Sequence, residues 1–141
     1  MKKSIAVLFV LALSTMLVPA VYADGGCSNA TLNGTYGGHT WGFYNVGKPG
    51  HVRSLPQAIG GAFTFDGAGN WTDKYTASAN GHIAEWKSDK GTYTVNSDCT
   101  GSLQEASGSY HWDFEIVANG TKIYAIETDK TTIHTGVMEK Q

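Results

Sequence analysis

Apolar and polar residues alternate with a period of two along most of the chain after residue 23. In the clearest run, residues 110–117, large apolar side chains alternate with polar ones. This period is typical of a strand with one buried face, and no stretch after residue 23 keeps the 3.6-residue period of a helix. The opposite register would bury polar groups without partners. We therefore expect Trp112 and Phe114 to face inward, and His111 and Asp113 to face outward.

Turn signals separate these runs at short intervals. The signals are rich in Gly, Asn and Asp, which tolerate tight turns, and they fall at 66–70, 80–81, 96–98, 119–120 and 128–131. The strands predicted between them are 33–44, 56–66, 69–79, 82–88, 90–96, 100–107, 109–118 and 121–128, with 131–139 as a candidate ninth. Alternatively, residues 82–96 form one bent strand, which returns the count to eight.

An all-β, antiparallel up-and-down barrel of about eight strands accounts best for this series. Neighbouring strands joined by tight turns pair with each other, and a long open sheet would leave two exposed edges unless it closed. A two-sheet β-sandwich is the alternative. The longest connection, residues 45–55, contains His51 and Arg53 and would lie over one mouth of the barrel as a lid or rim.

Residues 1–23 have the organisation of a secretory signal peptide. Lys2 and Lys3 precede an apolar run over 5–13, and the segment ends in Val-Tyr-Ala before Asp24. A membrane anchor fits less well, because polar residues and a proline interrupt the apolar stretch. Lipidation of Cys27 would need a leucine where Asp24 stands. We therefore predict a single β-barrel domain over 24–141 that is exported to the periplasm or the extracellular space.

The composition of residues 24–141 limits the kinds of partner that this predicted exported domain can bind. Taking 23 residues from 141 leaves 118, with 8 basic and 12 acidic residues and a net charge near −4. The chain has no basic cluster and no nucleic-acid-binding motif, which argues against nucleic acid as a partner. No second apolar stretch is long enough to span a membrane as a helix. The oligomeric state stays open.

Cys27 and Cys99 are the two cysteines of the chain. In an oxidising compartment such a pair most simply forms one disulfide. A redox-active or metal-binding pair is the alternative, but the two lack C-x-x-C spacing and a nearby histidine. The bridge would close a loop of about 70 residues, which the chain-entropy relation values at roughly 4 kcal/mol.

The glycine and turn motifs carry a resemblance. They are Leu32-x-Gly34-x-Tyr36, Gly61-x-Phe63-x-Phe65-Asp66-Gly67-x-Gly69-Asn70, Gly91-Thr92-Tyr93-x-Val95-Asn96-x-Asp98-Cys99-Thr100-Gly101 and Asn119-Gly120-Thr121. In this order the chain resembles small secreted bacterial β-barrel proteins, mostly uncharacterised, whose barrel is similar to the allene oxide cyclase-like and wider calycin barrels. The resemblance implies a calycin-like barrel. It implies no catalytic residues, because the motifs are glycines and turn residues.

Metal and cofactor sites find little support in the sequence. The five histidines are scattered and are expected on the surface: His39, His51, His82, His111 and His134. Calcium could bind oxygens of Asp66, Asn70 and Asp73, but a hairpin turn explains the first two through local hydrogen bonds. His111, Asp113 and Glu115 would form an acid/base cluster only if their face pointed inward. We predict no metal and no cofactor.

Aromatic residues are the best candidates for a binding site. Tyr and Trp combine apolar area with a polar tip, which suits the wall of a pocket around an organic ligand. The residues predicted to bind a ligand inside the barrel are Tyr36, Trp71, Tyr75, Tyr93, Tyr110, Trp112 and Phe114. The same side chains would otherwise fill a solid core.

Three functions remain open from the sequence. The first is a secreted barrel that binds a small apolar molecule and is not an enzyme. The second is a surface or host-interaction protein that uses exposed loops such as 45–55. The third is an enzyme of cyclase or isomerase type, which would need few acid/base groups. No sequence motif of a hydrolase or metalloprotease supports other enzyme classes.

Overall fold

The computed structural model describes residues 26–48 and 50–141, and the predicted signal peptide, residues 1–23, lies outside them. The described residues form nine strands: β1 (Asn33–Val46), β2 (Arg53–Asp66), β3 (Asn70–Ala79), β4 (His82–Lys87), β5 (Lys90–Val95), β6 (Thr100–Glu105), β7 (His111–Val117), β8 (Lys122–Glu127) and β9 (Thr132–Lys140). Two single turns of 3-10 helix, Asn29–Thr31 and Ala118–Gly120, complete the regular structure. No helix in these ranges is long and apolar enough to cross a membrane.

The strands close into an antiparallel barrel. β1 pairs with β2 on one edge and with β9 on the other, so the first and last strands of the described chain meet. β4 and β5 both pair along the same edge of β3, and together they occupy one strand position. The barrel therefore has eight positions. The predicted up-and-down barrel is confirmed, and the two-sheet sandwich is wrong. The alternative of one bent strand over 82–96 is wrong, because β4 and β5 are separate strands, although they share one position in the barrel.

The connection predicted over residues 45–55 is shorter in the structure. The ladder between β1 and β2 continues to the pair Val46 and Arg53, so the connection between the two strands is limited to residues 47–52. The Ser54 hydroxyl donates a hydrogen bond to Asn45 Oδ1 at 2.6 Å within this extension. Pairing along β1 extends this hairpin beyond the ladders that β1 forms with β9 and that β2 forms with β3. The role of the connection as a lid or rim stays a prediction.

One end of the barrel is closed by the segment that precedes β1. Leu32 is fully buried there, and the Tyr93 hydroxyl hydrogen-bonds the carbonyl oxygens of Asn29 and Leu32 at 2.9 Å each. A disulfide between Cys27 and Cys99 ties the same segment to the turn before β6, as predicted. Such a bridge is mildly consistent with an oxidising, exported location. The closed end thus combines packing, hydrogen bonds and one covalent link.

The core lies against this closed end. Its fully buried side chains include Tyr36 and Phe65, whose rings meet edge to face at 5.5 Å between centroids. Phe114 is 5% exposed, Trp112 packs against the core, and Asp113 on the intervening position is exposed. The predicted faces of β7 are therefore confirmed. Packed side chains fill the half of the barrel interior next to the closed end. Open space inside the barrel is therefore expected in the other half.

Candidate functional site

A cavity of about 380 Å³ occupies the half of the barrel opposite the closed end. Much of its wall is apolar or aromatic: Ile59, Phe63, Trp71, Leu103, Trp112 and Met138. Lys87 and Tyr110 also line it and are themselves exposed, so the cavity opens to solvent at this end. Its size and apolar lining are those of a site for a small organic molecule.

The structure divides the seven predicted binding residues between two places. Four line the cavity, namely Trp71, Tyr75, Tyr110 and Trp112. The other three, Tyr36, Tyr93 and Phe114, belong to the packed core instead. The Tyr36 hydroxyl, for example, donates a hydrogen bond to the carbonyl oxygen of Gly120 at 2.6 Å. These three are therefore not on the cavity wall, because their strands bring them to the closed end.

A histidine and a glutamate form a buried pair in the cavity wall. Nδ1 of His134 on β9 lies 2.5 Å from Oε2 of Glu127 on β8, and the two side chains are 2% and 0% exposed. Among the described residues, His134 Nε2, Glu127 Oε1 and Thr40 Oγ1 have no hydrogen-bond partner. A buried polar atom without a partner costs about 1–3 kcal/mol. All three side chains line the cavity, so a bound molecule is a natural source of the missing partners.

The expectation that the histidines lie on the surface is wrong for His134. On β9, His134 and Met138 are buried, whereas Ile133 is 67% exposed, so the apolar face of this strand points partly outward. Trp112 stacks on the imidazole, with ring centroids 6.3 Å apart and planes 19° from parallel. Sequence reasoning missed the pair because each partner looks unremarkable alone.

Glycines on β1 make room for the large side chains of β9. A Cβ atom on Gly42 would lie 2.6 Å from Cδ2 of His134, and one on Gly38 would lie 2.7 Å from Cγ of Met138. Both distances are too short for a side chain to fit without a shift. Each Cβ would lie closer still to a backbone oxygen of β9, that of Ile133 or Val137, so the glycines also let the two backbones approach. On the inward face of β1, glycines recur every four residues, at 34, 38 and 42. This spacing was therefore the available sequence signal that the partner strand carries large inward-facing side chains.

Three carboxylates approach each other on another part of the cavity wall. Asp73 Oδ1 accepts a hydrogen bond from the backbone N–H of Asp89 at 2.7 Å, and the Tyr75 hydroxyl donates to Asp89 Oδ2 at 2.8 Å. Burial, followed by the charges of Asp89 and Glu105, raises the pKa of Asp73 to about 6, against the opposing effect of the hydrogen bond from the N–H of Asp89. Burial and the bond to Asp89 also raise the pKa of Tyr75.

The cavity is therefore acidic as well as apolar. Asp73, Asp89, Glu105 and Glu127 all line it, and Lys87 is the one lysine or arginine among the described lining residues. Burial, followed by the charges of Glu127 and Glu105, raises the pKa of Tyr110 at the mouth. Sequence reasoning missed this group because its members come from separate strands and connections.

The other candidate sites resolve into local structure. Asp66 Oδ1 accepts the backbone N–H groups of Ala68 and Asn70, and its bonds to Asn70 lower the pKa of Asp66 to about 2. Asp66 and Asn70 therefore form a hairpin turn. Asp73, the third candidate calcium ligand, lines the cavity. On the outer face of β7, His111 Nδ1 lies 2.9 Å from Oδ1 of Asp129. Within 26–48 and 50–141, no group of three or more His, Cys, Asp or Glu side chains is placed to hold a metal ion.

No family model, curated protein or solved structure matches this chain. The resemblance to allene oxide cyclase-like and calycin barrels thus stays a prediction. What the protein does must be argued from the cavity and its residues.

Proposed function

We propose that the protein binds a small, largely apolar organic molecule in the open half of its barrel. The observation that carries the proposal is the cavity of about 380 Å³, whose apolar wall holds a few buried polar groups that find no hydrogen-bond partner in the described part of the chain. Binding sites for small molecules combine these two features, since apolar walls supply affinity and a few polar groups fix orientation. The Cys27–Cys99 disulfide supports a role outside the cytoplasm, in the periplasm or the extracellular space.

A ligand panel combined with a cavity-filling variant tests this proposal. Fatty acids, terpenoids and aromatic compounds are titrated while tryptophan fluorescence and the melting temperature are followed. Trp71 and Trp112 line the cavity, so a bound molecule should quench them. It should also raise the melting temperature with its concentration, because it binds only the native state.

Two alanines on neighbouring strands provide the variant and its control. Ala77 is buried and lines the cavity, so Ala77→Phe should abolish the shift. Ala58 is exposed on the outer side of β2, and Ala58→Phe should leave the shift intact. A panel without any shift, or a shift of equal size in both variants, would contradict binding inside the barrel.

A second candidate function, an enzyme of cyclase or isomerase type, is favoured by the His134–Glu127 pair. An ionised Glu127 can only accept, so Nδ1 of His134 donates to it, and in the neutral imidazole Nε2 then has a free lone pair. An imidazole oriented by a carboxylate in this way is a suitable general base. Trp112 stacks on the ring, and the His134 side chain is almost fully buried.

Hydrogen exchange tests the base without knowledge of the natural substrate. The apolar ketone 2-tetralone has acidic α-hydrogens, and the protein should speed their exchange in deuterium oxide above the buffer rate. His134→Gln should remove this acceleration while the ketone still binds. Equal exchange rates with the wild type, the variant and buffer would refute a role as a base.

A further inference from the structure

We infer that the molecule held in this cavity is an organic cation, an amine or quaternary ammonium joined to an apolar body. The inference rests on the proposed function, because it names the chemical class of the ligand in the same cavity. Four carboxylates line the space and one lysine faces them. An anionic or purely apolar ligand would leave this charge without a counterpart.

Glu127 provides an observation independent of the acidic group at the mouth. Its side chain is fully buried, one oxygen bonds His134, and Oε1 has no partner among the described residues. A buried carboxylate oxygen without a partner is costly unless a donor or a positive charge reaches it. A ligand that carries an N–H group or a cation would supply that partner.

The carboxylates of Asp73, Asp89 and Glu105 would also be stabilised by a positively charged ligand. The backbone N–H of Asp89 donates to Asp73, and the Tyr75 hydroxyl donates to Asp89. These two donors partly compensate the negative charge of the carboxylates. Even so, burial and then the charges of Asp89 and Glu105 raise the pKa of Asp73 to about 6, and the contribution of the charges reflects repulsion among the three carboxylates. Lys87 also lines this part of the cavity, whereas His134 lies against Glu127, so the negative groups outnumber the positive ones.

The aromatic wall favours an organic cation over a metal ion. Trp71 and Trp112 line the cavity together with Tyr75 and Tyr110, and aromatic rings attract positive charge through their quadrupoles. No three acidic or histidine side chains in the described ranges converge closely enough for a metal ion. An alkylammonium needs no such convergence, and its apolar body would contact apolar lining residues such as Ile59 and Met138.

Three probes of equal chain length test the sign of the ligand charge. Nonylamine, nonanol and nonanoate are titrated by calorimetry at pH 7.5, below their micellar concentrations. We expect nonylamine to bind about tenfold more tightly than nonanol, which corresponds to about 1.4 kcal/mol. Nonanoate should bind most weakly, because the cavity carboxylates repel it.

Matched substitutions locate the effect. Asp73→Asn should weaken nonylamine binding about fivefold to tenfold without changing nonanol binding, and asparagine keeps the acceptor used by the Asp89 N–H. Glu105→Gln should act in the same direction and serves as the second variant if the first is unstable. Asp113→Asn removes the same charge from the outer face of β7 and should change neither affinity.

The outcomes separate the two proposals. If nonanol or nonanoate binds as tightly as nonylamine, the inference of a cation is wrong and binding in the cavity stands. If Asp113→Asn weakens the amine as much as Asp73→Asn, the amine binds the general surface charge and the inference is also wrong. If none of the three probes binds, and the wider panel fails as well, the binding function itself is refuted.

Discussion

Replacing Asp73 with asparagine should change how the stability of the protein depends on pH. The pKa of Asp73 is raised from 3.8 to about 6, first by burial and then by the charges of Asp89 and Glu105. Between these two values the folded state holds a proton that the unfolded state has lost. Stability therefore falls as pH rises from about 4 to about 6, and the loss is complete above that range.

The size of the effect follows from the shift of the pKa. Two pKa units correspond to about 3 kcal/mol if the whole shift acts on folding. Asp73 is only partly buried, and its neighbours titrate with it, so solvent screening reduces the effect to about 1–2 kcal/mol. Asparagine is uncharged and keeps the Oδ1 that accepts the N–H of Asp89. Asp73→Asn should therefore match the wild type near pH 4 and exceed it by about 1–2 kcal/mol at pH 7.5.

Urea unfolding at several pH values between 4 and 7.5, without reductant, measures this difference directly. Asp113→Asn provides the control, because Asp113 is exposed on the outer face and should give a difference that does not vary with pH. A flat difference for Asp73→Asn, or a variant less stable than the wild type at pH 7.5, would refute the reasoning. It would mean that Asp73 is already well solvated.

Further expectations concern the core, the disulfide and the glycines. Phe114→Ala should cost about 3–5 kcal/mol in urea unfolding, because it empties a packed site, whereas His111→Ala should stay within about 1 kcal/mol. Comparable losses would mean that the faces of β7 are reversed. The native mass should lie two hydrogen atoms below the reduced mass through the Cys27–Cys99 bridge, and free alkylation of both thiols would contradict it. Gly42→Ala should lower stability by about 1–3 kcal/mol in thermal unfolding, because its Cβ would clash first with the backbone oxygen of Ile133 and then with the imidazole of His134, and an unchanged melting temperature would argue against this close packing of β1 on β9.

The strands could be predicted because their signals are local. The turn at residues 66–70 depends on hydrogen bonds that Asp66 makes to its own neighbours, and such turns are visible in the sequence. The inward face of β7 was equally visible, since its apolar residues fall on alternate positions. Closure of the barrel then followed from the number of strands and the edges that an open sheet would expose.

The site could not be predicted in the same way, because it depends on strands that meet only after closure. His134 faces inward since Gly42 on β1 leaves space for its ring, and Glu127 reaches it from the adjacent strand. The carboxylates of Asp73 and Glu105 come together through the arrangement of three strands. The alternation of apolar and polar residues also does not show which end of the barrel the segment around Leu32 closes. The choice of end determines which aromatic residues line the cavity.

The pairing of β1 with β9 also sets the order in which the chain can fold. This seam joins Tyr36 to Lys140 and Tyr44 to Thr132, so it forms only when both ends of the barrel sequence are present. Contacts between such distant segments are slow to form, since a long loop must close first. Until then the edge of β1, with Trp41 and Phe43 beside it, is free to pair with other chains. A nascent chain is thus most prone to aggregation just before its last strand arrives.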